Sequence, residues 1–158
     1  MSKVPIVHPL SWRNVVVTLG LLVVFLAVGA ALAGVTGALA GTLGYLAVSL
    51  FLRTAFTRSH SRGIRYCKRL EFDKAIPEFE KSMKFFQEHE WVDRYRAFTV
   101  FSVSEMTYRE MAMVSLGFCH AQIGEGAAAR GWYEQCLKEY PANVMAQSAL
   151  RFFDSVAQ

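Results

Sequence analysis

Histidine and cysteine are the residues of this chain suited to metal ligation or nucleophilic attack, and their spacing decides what they can do. The sequence carries His8, His60, His89 and His120, and Cys67, Cys119 and Cys136. The adjacent pair Cys119 and His120, with Cys136 further on, is the one grouping that suggests a metal centre. Adjacent residues on a helix point about 100° apart, so a single ion seldom takes both. An odd cysteine count without a CxxC spacing suits a reducing compartment rather than a disulfide frame, and the three thiols read as small packing residues. There is no Gly-rich phosphate loop, no HExxH, no paired-carboxylate motif and no nucleophile elbow. These residues predict no enzyme, no cofactor, no metal and no small-molecule substrate.

The elements that carry these side chains must therefore serve something other than catalysis. Apolar residues make up 53% of the chain and crowd towards its beginning. Residues 14–33 run without an ionisable group, and so do residues 35–52. As a helix each run is long enough to cross a hydrocarbon layer of about 30 Å, while the two end to end would be nearly twice too long. The expectation is a transmembrane helical hairpin over 14–52, cornered at Gly34 and preceded by a short segment, 1–13. The second run is diluted by Gly37, Gly41 and Gly44 and inserts with help from the first. Those three glycines share one helical face, and Ala27, Ala31 and Gly34 share another. Small residues on facing helices let two backbones approach closely in lipid.

Such a glycine-rich pair resembles the rotor subunits of proton-driven ATPases, but those require an intramembrane carboxylate and none occurs between Asn14 and Leu52. A cleavable signal is the competing reading, because Lys3 and Arg13 precede the run and Ala31-Leu32-Ala33 fits an A-x-A site. The run exceeds the usual apolar length of about 7 to 15 residues, however, and a second follows at once.

Charge sets the expected orientation. Arg53, Arg58, Arg62, Arg65, Lys68 and Arg69 follow the hairpin with no acidic residue before Glu71, and Lys3 and Arg13 lie ahead of it. The positive-inside tendency then places both termini in the cytoplasm, with a bacterial inner membrane as the expected location. Arg53, Arg58 and Arg62 are candidates for anionic lipid head groups at about 1 kcal/mol per charge; fixing topology is their simpler role. All 13 acidic residues and all but two of the 17 basic ones follow Leu52, so residues 53–158 are nearly balanced and no nucleic-acid partner is expected.

The soluble part is organised around residues 116–141, LGFCHAQIGEGAAARGWYEQCLKEYP. Gly117 and Ala129 allow close approach of two helices, Gly124 permits a turn, Tyr133 plugs the pair, and Pro141 ends it. With Leu116, this pattern resembles the tetratricopeptide repeat, a helix–turn–helix unit of about 34 residues. Met113 stands where that family prefers Trp, and His120 where it prefers Tyr. Gly63, Tyr66, Ala75 and Phe79 stand at the offsets of Gly117, His120, Ala129 and Tyr133, 54 residues earlier. The resemblance, covering roughly residues 59 to 156, implies an all-α fold. Two repeats follow the hairpin and a C-terminal capping helix closes them, with Val144, Ala149, Leu150 and Phe153 at helical spacing.

Between the repeats lies an inserted helical segment over about 88–107. Trp91, Tyr95 and Phe98 fall at i, i+4 and i+7 and would line one face of a short helix. Such a stripe is expected to close the core between the repeats; an exposed partner site or a surface lying on lipid is the alternative. The first helix of the second repeat is expected to begin early, near Ser102. No Gly or Pro occurs between Tyr45 and Arg62, so the second membrane helix is expected to run on into the first repeat helix.

By the same resemblance, a concave groove lined by the first helix of each repeat would hold an extended or helical peptide. Matching positions carries that groove onto His60, Ile64, Cys67 and Lys68 in the first repeat, and onto Met111, Val114, Phe118, Ala121 and Gln122 in the second. The groove is short, and the capping helix is a candidate to fill it. The expected function is a membrane-anchored scaffold or adaptor that captures another protein at the cytoplasmic face, with the lipid bilayer as its other partner. The alternative is a structural or assembly subunit of a larger membrane complex, bound through the hairpin.

Overall fold

A computed structural model of the protein describes residues 11–156, and every regular element among them is an α-helix. In order these are α1 (Trp12–Phe56), α2 (Arg58–Lys68), α3 (Phe72–Glu88), α4 (Glu90–Arg94), α5 (Arg96–Thr99), α6 (Tyr108–Gln122), α7 (Gly126–Glu139) and α8 (Val144–Val156). Lys3, His8 and most of the expected N-terminal segment lie outside the described residues. The chain divides into two compact units. One contains α1, α5 and most of α4; the other contains α2 from Ser59 onward, α3, α6, α7 and α8.

Helix α1 forms because its 45 residues hold no proline and are rich in Leu and Ala, both strong helix formers. It is broken at Ala33 (φ −146°, ψ 28°) and Gly34 (φ 60°, ψ −140°). The positive φ at Gly34 is one that a residue without a Cβ adopts freely. The stretches on either side, here called its two arms, are in contact. Tyr45 Oη donates to the carbonyl oxygen of Thr18 at 3.2 Å, across a separation of 27 residues that a straight helix would stretch to about 40 Å. The Phe25 and Tyr45 rings meet edge to face at 5.8 Å. The expected pair of separate helices, 14–33 and 35–52, is thus corrected in its bounds: one helical run from Trp12 to Phe56 changes direction within two residues, without a loop.

The register of the arms differs from the expected one. Gly37 is buried, and a Cβ on it would overlap the carbonyl oxygen of Gly29; a Cβ on Gly41 would overlap that of Phe25. Ala33 Cβ lies 3.0 Å from the same point on Gly37. The close face of the first arm is therefore Phe25, Gly29 and Ala33, at i, i+4 and i+8. Ala27 and Ala31 are exposed, Gly34 sits at the break, and a Cβ on Gly44 would meet nothing within 4 Å. The remaining surface of α1 is apolar and open, with Leu19, Val23, Leu32, Val35, Leu39, Leu43, Leu50 and Phe51 all exposed. Helix α1 does not run on into α2. Thr57 interrupts the two, with φ −105° and ψ 14°, and its hydroxyl donates back to the Arg53 carbonyl at 2.7 Å.

Residues 91–106 pack in the same unit as α1. They do not form one helix: α4 ends at Arg94, a bend at Tyr95 leads into the single turn α5, and residues 100–107 are not helical. Val92, Ala97 and Val100 are buried, while Trp91, Tyr95 and Phe98 are about half exposed. The expectation that these three aromatics close a core between repeats is overturned, because the stripe faces outward.

The other unit stacks its helices in sequence, α3 on α6, α6 on α7 and α7 on α8. Helix α6 starts at Tyr108 rather than near Ser102. Thr107 Oγ1 accepts from the Glu110 amide at 3.1 Å while the Glu110 carboxylate accepts from the Thr107 amide at 3.2 Å, and this reciprocal cap leaves residues 102–106 outside the helix. Glu110 also accepts from Asn143 Nδ2 at 2.7 Å, and Asn143 Oδ1 accepts from the Ala146 amide at the first turn of α8. Arg130 pairs with Asp154 at 2.8 Å and ties α7 to α8. Helix α8 turns Ala146 inward and sets Phe153 against Tyr133, whereas Val144 and Phe152 stand exposed. The expected stripe on α8 is therefore buried only in part.

Candidate functional site

Two helix pairs, α2 with α3 and α6 with α7, share one internal geometry. The Cα of Gly63 faces the Phe79 ring so closely that a Cβ would come within 2.7 Å of it, and Gly117 faces Tyr133 with 2.8 Å. The connecting turns match as well. The Glu71 amide donates to the Tyr66 carbonyl at 3.0 Å, and the Glu125 amide donates to the His120 carbonyl at 2.9 Å. Leu70 (φ 61°) and Gly124 (φ 86°) occupy the same left-handed position, and Ala75 and Ala129 are both fully buried. Each correspondence spans 54 residues, the offset read from the sequence.

The residues expected to line a groove are mostly consumed in making this stack. His60 is buried, its ring edge-on to Phe79 at 5.5 Å and to Tyr108 at 5.3 Å, with Nδ1 3.4 Å from the Ser82 hydroxyl. Cys67, Met111 and Val114 are buried. Ile64 packs on the cluster formed by Cys67, Ala75, Phe79, Leu116 and Cys119, and Phe118 joins it with its ring edge-on to Phe72 at 5.9 Å. Ala121 is half-buried, and only Lys68 and Gln122 of the nine stand exposed. The groove is thus corrected. The first helices present a packed seam rather than a lined channel, because their apolar side chains are spent on the interior.

The structure brings together one pair that spacing did not reveal. Cys67 Sγ and Cys119 Sγ lie 3.2 Å apart in the core. The two thiols share a hydrogen bond that lowers the Cys67 thiol from its ordinary value, and the same bond together with burial pushes Cys119 up. Cys136 is pushed up to about 12 by burial, reinforced by the charges of Glu110 and Glu139. Burial likewise carries the Tyr133 hydroxyl up to about 12. The Cys119, His120 and Cys136 grouping does not converge. Cys119 turns to Cys67, and His120 Nδ1 donates to Glu125 Oε2 at 2.6 Å. Among the described residues no group of three or more His, Cys, Asp or Glu is placed to hold a metal.

Besides the outward-facing Trp91, Tyr95 and Phe98, two further surfaces among the described residues are open. One is the apolar face of α1. The other is a shallow depression of about 630 Å³ lined by Glu80, Met83, Lys84, Gln87 and Glu88 of α3 and by Trp132 of α7. Arg53, Arg58 and Arg62 are exposed, the first at the end of α1 and the other two on α2. Comparison with protein-family models, with curated proteins and with solved structures found no match to the chain.

Proposed function

We propose that this chain is a non-catalytic, membrane-anchored scaffold, with α1 as a transmembrane hairpin and residues 59–156 as two tetratricopeptide-like repeats closed by α8. The observation that carries the repeat reading is the matched pair Gly63–Phe79 and Gly117–Tyr133, joined by matched turns at Leu70 and Gly124. A helix pair whose closest point is a glycine under an aromatic ring cannot bury its own apolar face, and stacking a second copy on it is how such units become stable. The anchor reading rests on the length of α1 and on its exposed Leu and Val side chains, a surface suited to lipid and costly in water. With Arg53 in its last turn and Arg58 and Arg62 just beyond it, the positive-inside tendency favours both termini in the cytoplasm, beneath a bacterial inner membrane, with the arginines near anionic head groups.

The burial of His60, Cys67, Met111 and Val114 favours giving weight to the second reading, a subunit of a larger membrane complex gripped through α1. Photo-crosslinking in the full-length chain separates the two. A crosslinking residue at Gln122 or Lys68 capturing the protein that co-purifies in mild detergent supports the scaffold; capture from Leu39 or Leu43 alone overturns it in favour of the subunit. Loss of the chain from the membrane fraction at alkaline pH would remove the anchor from both.

A further inference from the structure

We propose that residues 91–104 are a third lipid-contacting element, an aromatic wedge that dips into the bilayer beside the arms of α1; this rests on the reading of α1 as a membrane anchor. Trp91, Tyr95 and Phe98 are 55%, 55% and 51% exposed, in a unit whose other surface is the open apolar face of α1. Exposure alone would fit a protein partner equally well. The segment is, however, fastened along the direction in which α1 enters lipid. The Ser11 amide donates to the Val103 carbonyl at 2.9 Å, and Asn14 Nδ2 donates to the Ser104 carbonyl at 3.0 Å, at the very start of α1. Further along, the Phe101 ring meets Tyr45 edge to face at 5.2 Å, and Tyr45 reaches Thr18 and Phe25. Thr18 lies one turn beyond Asn14, roughly 6 Å deeper. The segment is thus hydrogen-bonded at the level of a polar surface and packed through aromatic rings below it.

Part of its backbone is also paired from within the segment. In lipid every carbonyl needs a partner from the protein. Thr99 Oγ1 donates to the Val92 carbonyl at 2.6 Å, and the amides of Phe98 and Thr99 donate to Tyr95. The amides of Val100 and Ser102 donate to Arg96. The Arg96 guanidinium spends its donors on the carbonyls of Asp93, Ser104 and Glu105, which closes the loop on itself. Asp93 is buried, and no acidic residue stands between it and Glu105. Arg94 is exposed and long enough to reach a head group while Trp91 and Tyr95 take the belt between water and hydrocarbon.

The test uses the full-length chain in phosphatidylcholine–phosphatidylglycerol vesicles, with phosphatidylcholine brominated on its acyl chains as quencher of tryptophan fluorescence. Four single-tryptophan chains are compared: Trp91 alone, Trp132 alone, and Leu26→Trp or Phe98→Trp in a background with Trp12, Trp91 and Trp132 each changed to Phe. The expected result is strong quenching of Trp91, Phe98→Trp and Leu26→Trp, and none of Trp132. Quenching of Leu26→Trp without that of Trp91 and Phe98→Trp would overturn the wedge and leave the anchor standing, its aromatics then facing water or a protein. No quenching of Leu26→Trp would overturn both. The chain with Trp91 alone keeps every residue of the wedge, so its result holds even where Phe98→Trp fails to fold.

Discussion

Leu70 holds the same left-handed turn position that Gly124 fills 54 residues later, with φ 61° against 86°. A side chain in that region costs about 1–2 kcal/mol, partly offset in the unfolded chain because glycine has more freedom to lose, by about 0.5–1 kcal/mol. Leu70 is 71% exposed and gives up little burial when removed. Leu70→Gly is therefore expected to stabilise the protein by up to about 1 kcal/mol, and Gly124→Leu to destabilise it by a similar amount. Denaturant unfolding of the full-length chain in mild detergent measures both, and a loss of stability in Leu70→Gly would contradict the equivalence of the two turns.

Gly63 and Gly117 make the opposite demand, for space rather than for a dihedral angle. A Cβ on either would press into the ring of Phe79 or Tyr133, both buried and without room to retreat. Gly63→Ala and Gly117→Ala should each cost about 1–3 kcal/mol by overpacking. The double substitution Gly117→Ala with Tyr133→Leu should cost less than the sum of the two singles, and strict additivity would show that the ring is not what the methyl meets.

Within α1, Gly37 and Gly44 are both glycines of the second arm, yet only Gly37 touches the first. Gly37→Leu and Gly41→Leu should separate the arms and lower the thermal resistance of the protein in detergent, whereas Gly44→Leu should leave it unchanged. Equal effects from Gly37→Leu and Gly44→Leu would mean that the register is wrong.

Alkaline pH should loosen the packing of α6 and α7. Cys136 and Tyr133 are both carried up to about 12 in the folded chain, above the ordinary values of about 8.5 and 10 that they regain on unfolding. An acid whose folded value is raised keeps its proton longer in the native state. The stability this gives is complete below about pH 8.5 and is lost as pH rises towards 12. Unfolding midpoints should fall across that window, and alkylation of Cys136 at pH 8 should be slow in the native protein and fast in denaturant. Rapid native labelling would contradict the burial.

The helix pairs were legible in the sequence because a glycine opposite an aromatic leaves a mark at both ends, and Gly63, Phe79, Gly117 and Tyr133 carried it. The register of the arms was not, since a stretch rich in small residues offers several equally good faces. Gly29 was the overlooked clue, spaced four residues from both Phe25 and Ala33. The groove failed for a different reason: whether His60, Cys67, Met111 and Val114 line a channel or fill a core depends on contacts between distant helices, which helical spacing cannot express. The stripe Trp91, Tyr95 and Phe98 misled in the same way, as an apolar period looks identical whether its face is covered or bare. Arg96, which ties three carbonyls together, has no sequence signature.

The reversal at Ala33 and Gly34 has a further bearing on how the molecule can be addressed. Because the turn spends two residues and ends in exposed Leu32 and Val35, the tip offers no charge, no sugar-attachment site and no loop long enough for a protease or an antibody to seize. What that end presents to an approaching molecule is hydrocarbon, so a probe that relies on charge has nothing to hold there.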